Sequence, residues 1–321
     1  MRTIQVRRPR RAGMMRAMSR IAAVVAVSVL ALSTTAHAGS KSWAAVKNSI
    51  NAKATIVAGG SAGPVRSSKM FGSAVQLLLS EEHDAAEAFT MIKDTCSIDV
   101  IAAIADFTVV MQNPDDPLIV FGLDGVDETK AVACIEAIAL KQEGKAVKLT
   151  AKKKGKVTTY SVPGEKQQLY MAWLAKDVLA FTSDPTAKGK LEKMLAGKAA
   201  KGALGKLVAK VNTDAPLWAA VAMKETEDGM HINGGYGQIE FAGGKFTGAA
   251  HVVLGSADEA AQAAAMGNAG LGEIKQKAAK TSVAALLNSI QITAAAAELT
   301  VAGAMADGDL TKIMADLDHL F

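Results

Sequence analysis

Apolar positions change their period several times along the chain, and each change marks an element. The run "AKATIVAGG" predicts a strand, and "SSKMFGSAVQLLLS" follows with Phe71, Val75, Leu78 and Leu79 at helical spacing. Ala85, Phe89 and Ile92 predict a second helix. "DFTVVMQNPDDPLIVFGLDGVDETKAVACIEAIAL" then reads strand, turn, strand, cap, helix. Asn113 to Pro117 carry turn chemistry, Asp127 is an N-cap, and Ala131, Cys134, Ile135, Ile138 and Ala139 keep the helical period. The same order recurs in "LYMAWLAKDVLAFTSDPTAKGKLEKML", where Ser183 or Asp184 caps a helix with Pro185 in its first turn. It recurs again in "GQIEFAGGKFTGAAHVVLGSADEAAQAAAM", with a hairpin turn at Gly243-Gly244 and Ser256 as cap, and in "SIQITAAAAELTVAGAMADGDLTKIMADL", with Asp309 before a last helix.

Hairpin connections dominate, and the long apolar runs of central parallel strands are missing. The pattern therefore predicts an α+β fold: antiparallel sheet built of hairpins, helices packed on one face, in four hairpin-plus-helix units. Small residues and lysines from Gly197 to Gly205 separate an α+β half at 39–200 from one at 201–321, as two domains or one continuous domain.

The first 38 residues stand apart. Ile21 to Leu32 form an apolar run preceded by arginines and followed by "STTAHAG", with Ala36 and Ala38 as the small residues of a cleavage site. This is the pattern of a secretory signal peptide cut after Ala38. The run is too short for a bilayer core, which needs about 20 residues. Arg7-Arg8 and Arg10-Arg11 supply arginine pairs, but neither abuts the apolar run as a twin-arginine signal would, so general secretion is the reading. Any of Met14, Met15 and Met18 would start a shorter leader. No later apolar stretch is long enough to span a membrane, which places the mature chain in a periplasm or outside the cell.

Formal charge is +5 over 321 residues, but seven leader arginines supply +7, so the remainder carries −2. That remainder holds one arginine, Arg66, against 28 lysines. Arginine forks and aromatic rings are what base recognition uses, and aromatics make up only 4% of the chain, so nucleic-acid binding is set aside.

Export bears on Cys96 and Cys134, which are predicted to pair as a disulfide in an oxidising compartment. No C-x-x-C spacing offers redox catalysis. "GGSAG", with Ser61 central, matches the G-x-S-x-G turn that exposes a serine nucleophile, with His231, His251 or His319 and Asp214 as partners. It reads equally as a small-residue loop between a strand and a helix. Lys145, Lys148, Lys152, Lys153, Lys154 and Lys156 crowd a hairpin with its tip at Lys154-Gly155. They offer an anion site for envelope polyanions, or the ordinary charge protection of an exposed sheet edge.

The histidines His83, His231, His251 and His319 are too scattered for a metal pair, and the acidic turns lack the full calcium-loop pattern, so no metal and no cofactor is expected. His251 is placed to oppose Tyr236, and Phe246 to oppose Phe241, across the Gly243-Gly244 hairpin. Methionines such as Met111, Met171, Met223, Met266 and Met305 admit a pocket for an apolar ligand, or a plain core. The sum predicts an exported, non-catalytic protein that binds or organises an unidentified envelope component. A secreted serine hydrolase using Ser61 and a carrier of an apolar ligand are the alternatives.

Overall fold

The computed structural model describes residues 40–313, apart from short stretches at 64–65, 82, 113–116, 145, 163–167, 198–201, 228 and 310–311. The leader and its cleavage site, Lys145, residues 113–116 of the "NPDDP" turn and the chain after 313, with Met314 and His319, lie outside them.

Among the described residues, thirteen strands form one antiparallel sheet. They are β1 (Ile56–Ser61), β2 (Ile104–Met111), β3 (Pro117–Leu123), β4 (Thr150–Lys154), β5 (Val157–Ser161), β6 (Gln168–Ala175) and β7 (Val178–Thr182) in the first half. The second half adds β8 (Leu217–Val221), β9 (Glu225–Glu227), β10 (Met230–Ala242), β11 (Lys245–Leu254), β12 (Gln291–Ala295) and β13 (Glu298–Ala306). The order is β12-β13-β11-β10-β8-β1-β2-β3-β7-β6-β5-β4, with β9 on β10. The fold is thus α+β with a large antiparallel sheet. The halves 39–200 and 201–321 meet inside that sheet, where β1 pairs with β8 from Ile56↔Val221 to Gly59↔Trp218.

Helices cover the sheet on both faces, where the sequence pattern put them on one. On the first face lie α1 (Lys41–Val46), and, later in the chain, two helices at Lys188–Leu195 and Ala203–Val208. Their buried Val46, Leu191, Met194, Leu204 and Leu207 pack with Val57, Val110, Leu118, Val120, Trp218 and Ala220 of the sheet. The opposite face carries α2 (Lys69–Glu81), α3 (His83–Cys96), the short α4 (Val100–Ala103) and α5 (Glu128–Glu143) at one end. A second core forms there from Ile98, Leu123, Val126, Cys134 and Trp173. Numbering continues as α6 (Lys188–Leu195) and α7 (Ala203–Val208), then α8 (Ala257–Ala278) and α9 (Ala284–Ser289), which lie over β12 and β13. Two-sided cover follows from strand alternation: both residue sets of β3 are apolar and buried, as in Leu118 and Ile119.

Caps set the helix starts. Asp127 accepts from Lys130 N at 2.9 Å at the head of α5, and Ser256 accepts from Glu259 N at 3.1 Å at the head of α8. At α6 the cap reading fails. Asp184 instead takes Thr186 N at 3.0 Å and Thr186 Oγ1 at 2.6 Å, a local turn that delays the helix to Lys188.

Cys96 and Cys134 form a disulfide, Cα to Cα 5.3 Å, that joins the end of α3 to α5. Closing a loop with 38 residues of separation is worth about 4 kcal/mol by the chain-entropy relation, a large part of a domain's net stability.

Candidate functional site

Ser61 is the last residue of β1 and stands opposite Asp106 of β2. The strand-to-helix elbow of the G-x-S-x-G pattern is not seen among the described residues there: the chain stays in the sheet through Ser61, and the next helix starts at Lys69. The glycines before it have a packing reason. A Cβ on Gly59 would stand 2.7 Å from the indole of Trp218, and one on Gly60 would stand 2.2 Å from the carbonyl oxygen of Pro216. "GGSAG" is thus where β1 passes beneath a buried tryptophan. Two of the suggested bases, His231 and His251, stand on β10 and β11 with partners of their own. His231 Nδ1 is 2.9 Å from Glu259 Oε1, and His251 Nδ1 is 3.0 Å from Thr300 Oγ1.

The lysine hairpin is β4 with β5, and β4 is the outermost strand at its end of the sheet. Lys152, Lys153 and Lys154 are exposed along that edge, and Lys148 is exposed just before it. Lys156 leaves the set: its ammonium donates to Ser49 Oγ at 2.6 Å and to the Leu195 carbonyl at 3.2 Å, tying the hairpin to the chain beyond α1.

The acidic turns have local duties. Asp124 pairs with Lys41, Asp307 Oδ2 accepts from Lys69 N at 2.8 Å, and Asp309 pairs with Lys312. Among the described residues no group of three or more His, Cys, Asp or Glu side chains is placed to hold a metal ion.

A cross-strand cluster sits on the polar face of the second half. The Tyr236 hydroxyl donates to Glu298 Oε2 at 2.8 Å, Lys210 bonds the other oxygen, and the His251 ring stacks on Tyr236 at 4.5 Å. Burial first, then the Glu298 charge, pushes the Tyr236 hydroxyl up to about 12. Lys210 first, then the tyrosine hydroxyl, holds Glu298 below the ordinary carboxylate value. A phenol held protonated and an acid held ionised by an ammonium make a structural ladder, with neither poised to move a proton near neutrality.

The opposite face of the same strands is different. An open trough of about 500 Å³, lined by residues of β8, β10, β11 and β13, lies there. Its floor follows from register. Ala58 of β1 pairs with Ala219, Ala219 with Gly237, Gly237 with Ala250, and Ala250 with Val301. Four strands in a row thus present small side chains at one level. Bulkier neighbours two residues away wall it: Val221 and Val252 on one side, Leu217 and Ile239 on the other. Gly237 is required by the close approach of β11, since a Cβ there would stand 2.7 Å from the Ala249 carbonyl oxygen. Gly248 is less crowded: an added Cβ would meet Ile239 at 3.4 Å, an ordinary packing distance.

The trough is not where the methionines of the sequence point, since no methionine lines it. The available signal was Gly235, Gly237, Gly248 and Ala250 at two-residue spacing within two long strands, which leaves one sheet face apolar but shallow.

No family model and no curated protein matches the chain. Among solved structures, crystal forms I, III and IV of TP0453 are similar at TM-scores of 0.42, 0.44 and 0.42, with 7%, 7% and 8% identity. They cover 87%, 85% and 86% of this chain and 98%, 97% and 99% of theirs. At that level the likeness carries no argument about fold or function, and none is drawn from it.

Proposed function

We propose that the chain is a non-catalytic binding protein of a bacterial cell envelope, exported by its leader and cut after Ala38, which carries an apolar small molecule in the trough on β8, β10, β11 and β13. The observation that carries this reading is the trough itself. Its volume, about 500 Å³, falls within the roughly 300–1,000 Å³ of small-molecule sites, and its lining is almost wholly apolar. An apolar face left open in water has a cost that a bound apolar molecule removes. The leader pattern and the disulfide support an extracytoplasmic setting for such binding.

Binding of the neutral dye N-phenyl-1-naphthylamine to the mature protein tests this. Fluorescence should rise on mixing, and Gly248→Val with Ala250→Leu, which fill the floor, should weaken binding at least tenfold while leaving the melting temperature unchanged. Equal binding by the filled variant would overturn the reading, as would dye that stays dark with the native protein and no small molecule released by organic extraction.

A further inference from the structure

The trough has a direction and a width. Its floor crosses the strands instead of following one, because Ala219, Gly237 and Ala250 stand at one level of the register. Ala58 continues that level on β1, and Val301 and Ile292 end it on β13 and β12. Helix α8 closes this end, since a Cβ on its Gly267 would stand 3.1 Å from Ile292 Cδ1. Between Ala58 and Val301 lie the strands β8, β10 and β11, which gives a floor about 19 Å long at about 4.8 Å per strand. The narrowest point is on β8, where Leu217 and Val221 flank Ala219. Residues four apart on a strand have Cβ atoms about 13 Å apart, and a branched side chain reaches about 2 Å inward from each. That leaves about 9 Å between facing methyl groups, and a carbon needs about 4 Å to each wall, so one row of carbons fits and two do not. On β10 and β11 the wall changes sides: Ile239 stands to one side of Gly237 with Gly235 on the other, and Val252 stands to the opposite side of Ala250 with Gly248 across from it. A flexible chain steps between the two, whereas a rigid fused-ring body lying across both strands strikes one of them. No side chain that alternation turns into the trough is polar.

The geometry points to one unbranched alkyl chain as the occupant, the tail of a single-chain amphiphile laid across the strands with its methyl end at Val301 and its head group in water. This rests on the carrier reading above and narrows it to a class of ligand. The orientation follows from the closed end: a head group placed against Val301 and Ile292 would give up its water and find no hydrogen-bond partner among the lining side chains. The length follows from the floor. An extended chain advances about 1.3 Å per carbon, so about 14–16 carbons fill about 19 Å. Val301 thus acts as the stop of a ruler, and Leu217 with Val221 as the gate that excludes rings and paired chains.

Displacement of bound N-phenyl-1-naphthylamine from the mature protein tests this. The competitors are n-alkyl carboxylic acids and monoacyl phosphocholines with chains of 8 to 18 carbons, kept below their micelle concentrations, and cholate as a rigid four-ring body. In both series displacement should strengthen about three- to tenfold for every two carbons, as expected for methylenes buried on one side, and level off at about 14–16 carbons. Cholate should compete at least a hundredfold more weakly than the best chain. The series that displaces more tightly at equal length names the source of the chain, a free acid or a monoacyl lipid. Val301→Ala, which moves the stop toward β12, should shift the best length upward while its melting temperature stays close to the native one. Dye that binds but is displaced without regard to chain length, or by cholate as readily as by the best chain, would overturn the inference and leave the carrier reading standing. Dye that does not bind at all would remove that reading and the inference with it.

Discussion

Ser40 and Asp106 are 66 residues apart in sequence and share a 2.9 Å hydrogen bond inside the first core. The carboxylate does the work of a helix cap from outside the helix, accepting from two backbone N–H groups at the start of α1 and from one serine hydroxyl. Gly122 makes room for it, because a Cβ there would stand 2.4 Å from Asp106 Oδ2. Asp106→Asn keeps the shape but puts an N–H₂ where donors already point. We expect a loss of about 2–3 kcal/mol, read from the urea midpoint of the mature protein. A loss under about 0.5 kcal/mol would mean that water replaces the carboxylate without cost.

The glycines of "GGSAG" give a sharper contrast. Gly59→Ala places a methyl 2.7 Å from the Trp218 ring, which is fully buried and cannot retreat, so overpacking should cost about 1–3 kcal/mol. Ser61→Ala at the end of the strand should stay within about 0.5 kcal/mol. Thermal melts of the two variants check this. A serine nucleophile would give the reverse emphasis: Ser61→Ala silent in stability but abolishing labelling by a fluorophosphonate. We expect no labelling of Ser61 in the native protein.

These two sites show what the chain's pattern could and could not disclose. Strands and hairpins were legible because alternation and turn residues are local: Tyr236 does oppose His251, and Phe241 does oppose Phe246. The disulfide was legible because export and a pair of cysteines leave few alternatives. What escaped was set by strand order. That β8 lies beside β1 joins residues more than 150 apart, and this neighbour relation alone turns Gly59 into the bed of Trp218. The trough is of the same kind, since Ala219, Gly237 and Ala250 become one floor only once three strands are placed in register. Asp106 in "IADFTVV" likewise looks like one polar position in a strand until α1 folds over it.

Glu298 gives the chain a pH-dependent element. Its folded value is depressed by Lys210, with Tyr236 adding to it and the nearby His251 charge acting the same way. A depressed carboxylate contributes stability that is present above its unfolded value of about 4.3 and is lost as pH falls through the lower folded value. Glu298→Gln should therefore cost a few tenths to about 1 kcal/mol at pH 7, the pair being partly exposed, and almost nothing near pH 2. Tyr236 has the opposite sign. Its raised value keeps its contribution intact below about pH 10 and loses it between there and about 12. Melting temperatures of the native protein and Glu298→Gln at pH 7, 4 and 2 check the acid limb, and a gap that stays constant across them would refute it.

The two ends of the sheet differ in a way that assigns a duty to the lysines. β4 exposes Lys152, Lys153 and Lys154 in succession, whereas β12 at the other end, equally five residues long, carries no charge. An edge with unpaired backbone groups invites pairing with another chain, and charged side chains along it are one way of preventing that. Replacing the three β4 lysines by Thr keeps the strand's backbone and removes its repulsion. We expect no fall in the melting temperature, since their side chains are exposed, but concentration-dependent association, visible in sedimentation velocity and relieved by restoring Lys153 alone. Lys156→Met should behave oppositely. It leaves the edge charged but strips donors from Ser49 and the Leu195 carbonyl, so the protein should lose about 1 kcal/mol and stay monodisperse. If the triple variant stays monodisperse and instead loses binding to an anionic polymer such as heparin, the hairpin serves as an anion site rather than as a guard for the edge.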